Sequence, residues 1–412
     1  MKELFGELQI PVVQDKMFAK SISLNTGYRY SDYSSAGETS AYKLAGDWSP
    51  TEDFKLRASY NRAVRAPNIA ELFQPTIIQL GSFGDPCSGA SPTASQAACL
   101  KTGATAAQYG HIPDCGAAQC SIETGGNTAL RPEKSDTWSA GLVLTPSFIR
   151  GFTASVDYFY IIVNDAIQQG IGGPVILSQC LTSGSFCNLI HRNPNGGSLV
   201  GITQSDGYVI NTTVNSGYEK TSGIDFTANY RTRFTDWGLP DWGGLSFAYV
   251  ATYTKEFVQS PVKGLGSFDC AGYFGVVCFE PQSKYKHELR TSWATPWHGL
   301  ALSVNWRYLS GVNFDANQDT NKFLGAFGTP FHDTPDARIP AYSYFDLSGS
   351  IRLINQVSMR FGVNNLFDKD PPVLDANNLG VAGTSGFGNG NTFPGVYDTL
   401  GRTFFIGLTA DF

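Results

Sequence analysis

An all-β chain forming an antiparallel transmembrane β-barrel is the fold class this sequence predicts, and three observations predict it. Apolar residues recur with a period of two in thirteen segments. The connections between those segments alternate between short turns and long loops. The last stretch, Arg402 to Phe412, places Phe404, Ile406, Leu408, Ala410 and Phe412 on one parity and Thr403, Thr409 and Asp411 on the other. A strand turns such alternation into one greasy face and one polar face. A soluble sheet would bury the greasy face, whereas a closed barrel in lipid turns it outward and lines its lumen with the polar residues.

Composition agrees. Charged residues make up only 16% of the chain and aromatics as much as 13%. Twenty-nine basic against thirty-five acidic residues leave no electrostatic footprint for nucleic acid. The mean hydropathy is negative and no apolar run approaches the ~20 residues of a spanning helix. Alternating strands are invisible to that criterion.

The elements follow in order. Segments 3–13 and 18–31 are joined by a few residues near Gln14 to Lys16. Segment 39–49 meets 53–65 across Ser49-Pro50-Thr51-Glu52, a turn by composition. Within the fourth, Phe54, Leu56, Ala58 and Tyr60 alternate with Lys55, Arg57, Ser59 and Asn61. The interval 66–132, rich in Gly, Ser, Ala and Pro, is long enough to be functional or disordered. Segments 133–145 and 151–163 flank a turn at Pro146 to Arg150, and a second long interval spans 164–213. Ile224, Phe226, Ala228 and Tyr230 mark the seventh strand and 244–257 the eighth, with an aromatic turn between them. Segments 283–294 and 299–312 flank Thr295-Pro296-Trp297-His298. After a loop to about 340, strands at 345–353 and 357–363 precede a last loop, 369–395, and the terminal strand.

Short turns are expected after every odd-numbered strand and long loops after every even one, the sorting of periplasmic turns and extracellular loops. Trp237, Trp242, Trp293 and Trp297 fall at the short-turn end, where an interfacial girdle belongs. Bacterial barrels have even strand numbers with both ends in the periplasm. Thirteen strands are therefore expected to be the C-terminal part of a longer barrel, which also accounts for an N-terminus without a signal peptide.

Eight cysteines, Cys87, Cys99, Cys115, Cys120, Cys180, Cys187, Cys270 and Cys278, all fall in loops, as disulfides in an oxidising compartment do. Pairing Cys180 with Cys187 and Cys270 with Cys278 is the economical arrangement, and the other four allow three connectivities. Zinc is disfavoured because only His111 accompanies the first cluster and no C-x-x-C occurs. Asp315, Asn317 and Asp319 open like a calcium loop, but Thr320 and Ala326 stand where Gly and Glu are needed. Gly386, Gly388 and Gly390 lack P-loop spacing. The histidines at 111, 191, 287, 298 and 332 form no H-E-x-x-H pair and partner no evident nucleophile. No cofactor, no metal and no enzymatic activity are expected.

Three stretches carry a family resemblance. YNRAVRAPNIAELF, with Arg65, Ala66, Pro67, Glu71, Leu72 and Phe73, resembles the R-A-P-x-x-x-E-L-F box of TonB-dependent receptors. NTALRPEKSDTW, with Asn127, Leu130, Pro132 and Glu133, is similar to their N-x-x-L-x-P-E box. VNNLFD, with Asn365, Leu366 and Phe367, resembles their V-x-N-L-F-D box, and the terminal Phe412 resembles the signal read by the barrel-assembly machinery. The resemblance implies strands ten to twenty-two of a twenty-two-stranded barrel in the Gram-negative outer membrane. The plug, the first nine strands and the TonB box have no counterpart in these 412 residues. Outer-membrane lipid, the assembly machinery, the TonB complex through a plug, and a small-molecule nutrient are the partners it implies.

Pro67 ends a strand, since proline cannot donate to the ladder, and Pro132-Glu133 reads as a strand-entry device. Arg57 and Arg65 face the lumen by parity; with Arg62 they either pair with plug carboxylates or an anionic ligand, or stand as solvated charges. Tyr109, Tyr208 and Phe186 give the loops aromatics that suit many ligands. The expected function is energised uptake of a siderophore, cobalamin or carbohydrate, with this chain alone inactive in transport. A passive porin-like channel is the alternative.

Overall fold

The structure is a computed structural model and describes residues 1–275, 278–315, 336–374 and 390–410. Among the described residues thirteen strands form one antiparallel sheet in chain order, and the short Phe268–Asp269 strand adds beside Gly244–Ser260. The thirteen are β1 (Lys2–Lys16), β2 (Ala19–Tyr33), β3 (Gly37–Ser49), β4 (Phe54–Arg65), β5 (Glu133–Leu144), β6 (Phe152–Asn164), β7 (Tyr218–Arg233), β8 (Gly244–Ser260), β9 (Tyr285–Ala294), β10 (Ala301–Leu309), β11 (Tyr342–Ile354), β12 (Val357–Asn364) and β13 (Thr403–Ala410). Most reach the 9–11 residues a tilted strand needs to cross a bilayer. No described helix is long and apolar enough to do so. Strands β1 and β13 are not paired with each other, so the sheet stays open among the described residues. Pro11 is accommodated in the edge strand β1 beside an irregularity in its register.

The predicted parity is visible as exposure. On β13, Phe404, Ile406 and Leu408 are 75%, 73% and 68% exposed. Leu44, Trp138, Ile224, Tyr253 and Val304 on other strands of the sheet are exposed large hydrophobic side chains too. Phe412 lies outside the described residues. Two aromatic bands result. Trp237, Trp242 and Trp297 are exposed at the short-turn end, where Trp293 Nε1 donates to the Trp242 carbonyl at 2.8 Å. A second band at the loop end includes the Trp306, Phe345 and Phe367 set, while the contacting rings of Tyr42, Tyr60 and Trp138 lie at mid-strand. Two interfacial girdles are what a barrel wall carries.

The expected strict alternation of connections fails once. Strands β2 and β3 are joined by residues 34–36 alone, because both extend past the segments read from periodicity. Tyr33 and Gly37 close that hairpin as register partners, and Gly37 takes the positive φ of 73° that the turn requires.

The long intervals are folded. In the loop after β4, Ile77–Leu80 pairs with Ser121–Thr124, which pairs in parallel with Tyr208–Ile210 from the loop after β6. Ile190–His191 completes this four-stranded sheet. Phe83, Ile122, Ile176, Leu177, Leu199 and Val209 form its core. The loops after β8 and β10 join similarly, Tyr273–Phe274 running parallel to Val312–Phe314. Phe274, Phe314, Ile339, Leu374, Phe393 and Tyr397 pack there. Small clusters around Cys87–Cys99 and Cys270–Cys278 lie mainly within one loop each, while the two larger cores are shared between loops.

Candidate functional site

The loop end of the sheet holds nearly all of the residues singled out from sequence. Asn68 and Glu71 form a reciprocal capping box on the short helix Ile69–Phe73, each side chain accepting from the other's backbone amide at 2.8 Å. Arg65 donates to both oxygens of Glu133 at 2.7 Å and through Nη1 to both oxygens of Glu71 at 3.0 Å. Glu133 is the register partner of Arg65 across β4 and β5. Its Oε1 also accepts from the Ile167 amide. The Asn127 amide donates to the Glu71 carbonyl, and Asn127 Nδ2 to the Thr213 carbonyl. Leu72, Leu130 and Pro67 are buried beneath, with Phe73 exposed. Ala66 and Pro132 are partly buried at the strand exit and entry. The first two boxes thus form one clamp at the root of two loops.

Each of the three arginines has a carboxylate partner within the chain. Arg57 fully engages Asp157 at 2.6 and 2.7 Å, reaching over Gly141. A Cβ at Gly141 would lie 1.8 Å from Asp157 Oδ1, so glycine is what lets the pair form. Arg62 binds Asp136 twice at 2.8 Å, and Tyr60 donates to the same carboxylate at 2.7 Å. Acids on neighbouring strands pair with all three, and each guanidinium stays partly exposed. Register was the missing signal: each acid lies on an adjacent or next-but-one strand.

The third box is a turn. Asn365, 1% exposed with φ of 50°, donates its amide to Asp346 Oδ1 at 2.9 Å and brackets Lys369 with its side chain. Asp346 also takes Arg307, at 2.9 and 3.0 Å. The Leu366 amide donates to Phe345, while Phe367 is 68% exposed. Asp368 Oδ1 accepts from the Arg402 amide, which aims the chain into β13. Of the barrel-assembly residues, Phe404, Ile406, Leu408 and Ala410 lie on that strand.

The cysteines pair with their next neighbours: Cys87 with Cys99, Cys115 with Cys120, Cys180 with Cys187 and Cys270 with Cys278. Asp315 is buried and accepts from the Cys278 amide at 2.9 Å. Asn317, Asp319, His332, Gly386 and Gly388 lie outside the described residues.

Sequence reasoning missed one buried ion pair. Arg192 and Asp85, with side chains 3% and 1% exposed, meet at 2.6 and 3.0 Å across 107 positions. Arg192 also donates to Thr102 Oγ1 and the Gly197 carbonyl, both at 2.8 Å. Each nitrogen of its fork is thereby engaged; the bonds to Asp85 and Thr102 weld the two longest loops together, and that to Gly197 braces its own loop. Nearby, the Thr203 hydroxyl and then its amide hold the Asp206 carboxyl below its ordinary pKa. Of the three loop aromatics, Tyr208 is buried and Tyr109 donates to the Ala94 carbonyl. Phe186 lines a cavity between the loops after β6 and β8.

Residues 2–366 match the family described as TonB dependent receptor-like, beta-barrel. The chain belongs to the TonB-dependent receptor family. Solved receptors share its fold. A ferric enterobactin receptor mutant from Pseudomonas aeruginosa, in complex with enterobactin, superposes with a TM-score of 0.60 at 19% identity over 99% of this chain and 45% of its own. The siderophore receptor PirA from Acinetobacter baumannii gives 0.60 at 16% identity over 100% and 45%. This TonB-dependent receptor chain therefore spans less than half the length of those structures.

Proposed function

We propose that these residues supply the outer wall and ligand-capturing loops of a Gram-negative outer-membrane receptor that takes up a siderophore-class nutrient with TonB-derived energy. The family match across residues 2–366 carries this reading. Supporting it are an exposed apolar sheet face between two aromatic bands and loops welded into folded assemblies at one end only. The solved relatives named above are siderophore receptors, which favours iron carriers over cobalamin or carbohydrate. The ligand is bound and released without covalent change, and no enzymatic step is part of the proposal. The wall requires a plug for coupling, so these 412 residues expressed alone are expected not to transport.

The test is uptake of radioiron-labelled siderophores by iron-starved cells, with and without deletion of the gene and with and without a protonophore. Gene-dependent uptake abolished by the protonophore is expected. Gene-dependent uptake that the protonophore leaves intact would refute energised transport and favour a passive channel.

A further inference from the structure

Between the loops that follow β6 and β8 lies a cavity of 230 Å³. Ile171, Leu189, Val214 and Val262 contribute apolar wall, and the Phe186 ring lies among them. Phe186 has φ of 63°, a left-handed conformation rare for a bulky side chain. Such an outlier persists only where its surroundings hold it. Here the adjacent Cys180–Cys187 disulfide and the packed loop core do so.

Four polar side chains complete the lining, Asn211, Thr212, Asn215 and Lys263, and none of them is a carboxylate. Asn211 Oδ1 already accepts from the Gly172 amide at 2.8 Å, which leaves its NH₂ group as the polar end still free to act. Gly170 permits that arrangement, since a Cβ there would fall 2.0 Å from Asn211 Oδ1. Lys263 is exposed and forms no ion pair among the described residues. An ammonium carries donors and no acceptor. Asn215 is spent on the backbone of Arg131 and Asp165, so the side chains of the cavity offer an apolar, ring-faced wall, one ammonium and no carboxylate.

We infer that this cavity is a subsite for one aromatic ring bearing a carboxylate or phenolate. The ring sits against Phe186 and the aliphatic wall, and the anion meets Lys263 and Asn211. Charge complementarity sets the sign, and the volume admits a single ring while the remainder of a larger carrier stays outside. The inference rests on the receptor reading for its physiological role, since the ring belongs to the molecule being captured.

The test uses the purified full-length receptor in detergent, with salicylate as probe and salicylamide as its neutral counterpart, followed by saturation-transfer NMR and calorimetry. Salicylate should bind saturably, and Lys263→Gln should weaken it about tenfold or more, as expected for a lost charge-assisted hydrogen bond. Salicylamide should bind weakly and respond little to that substitution. Phe186→Leu should weaken both probes; because Phe186 also packs on the loop core, the exposed Lys263 carries the decision. Salicylate that fails to bind, or binds Lys263→Gln as well as the wild type, overturns the subsite. Energised uptake that persists in that case leaves the receptor reading standing. Salicylate binding without energised uptake overturns the receptor reading and keeps the subsite.

Discussion

Asp85→Ala should loosen the loop assembly without touching the barrel wall. Asp85 receives two bonds from Arg192 and a third from the Cys87 amide at 3.0 Å. Its removal strands a guanidinium that is 3% exposed and retains only Thr102 and Gly197 as partners. Breaking a buried pair from one side costs about 3–5 kcal/mol, most of it the burial of an uncompensated charge. At 1.36 kcal/mol per tenfold, local opening becomes about 150- to 5,000-fold more frequent. Hydrogen exchange read by mass spectrometry reports this directly. The amides of Gly81, Cys120 and Ser121, which bond Cys120, Phe83 and Leu199 carbonyls, should lose protection by that factor. Amides within β5 to β8 should not change, because the ladder holds them independently of the loops. Replacing both partners, Asp85→Leu with Arg192→Met, should restore much of the protection, since a buried pair exchanged for apolar side chains is often neutral. Unchanged exchange in Asp85→Ala, or equal loss across the barrel strands, would show that the pair does not weld the loops.

Gly141→Ala should lower resistance to heat or urea, measured by gel-shift unfolding, by displacing the Arg57–Asp157 pair. The pair is part exposed, so the loss is about 1 kcal/mol, and it should shrink in an Asp157→Ala background. Arg65→Lys keeps the charge but loses the planar fork that holds Glu133 and Glu71 together; limited proteolysis within 66–132 should accelerate while the barrel fragment survives. Reduction of the Cys87–Cys99 bridge should cost that loop about 3 kcal/mol by the chain-entropy relation, seen as faster exchange around Ile112. Non-reducing peptide mapping should recover the four neighbour pairs, and a peptide linking 187 to 270 would overturn them. The Asp206 carboxyl lies below its unfolded value, so its contribution to the 202–206 turn is present above about pH 3.9 and lost as pH falls through the lowered folded pKa. Exchange at the Thr203 amide should rise over that acid range, and no change there would refute the assignment.

Alternation was legible because a strand has a fixed period of two. Phe404, Ile406 and Leu408, or Phe54, Leu56 and Ala58, could be placed on one face with no knowledge of their neighbours, and thirteen strands in chain order followed. The boxes were legible as motifs, and the Cys180–Cys187 and Cys270–Cys278 disulfides as short spacings, whereas the pairing of Cys87, Cys99, Cys115 and Cys120 came from the fold. Three things required the folded chain. Register decided that Arg57 reaches Asp157 over Gly141, and that Arg65 reaches Glu133; a one-residue slip would have sent each side chain to the opposite face. The β2–β3 turn was misread because strand ends carry no periodic signal once they extend beyond the bilayer. Contacts between loops, above all Arg192 with Asp85 and the parallel pairing of Ile122 with Val209, join residues 107 and 87 positions apart. Nothing local marks either partner, because their complementarity exists only once the strands beneath have brought the two loops side by side.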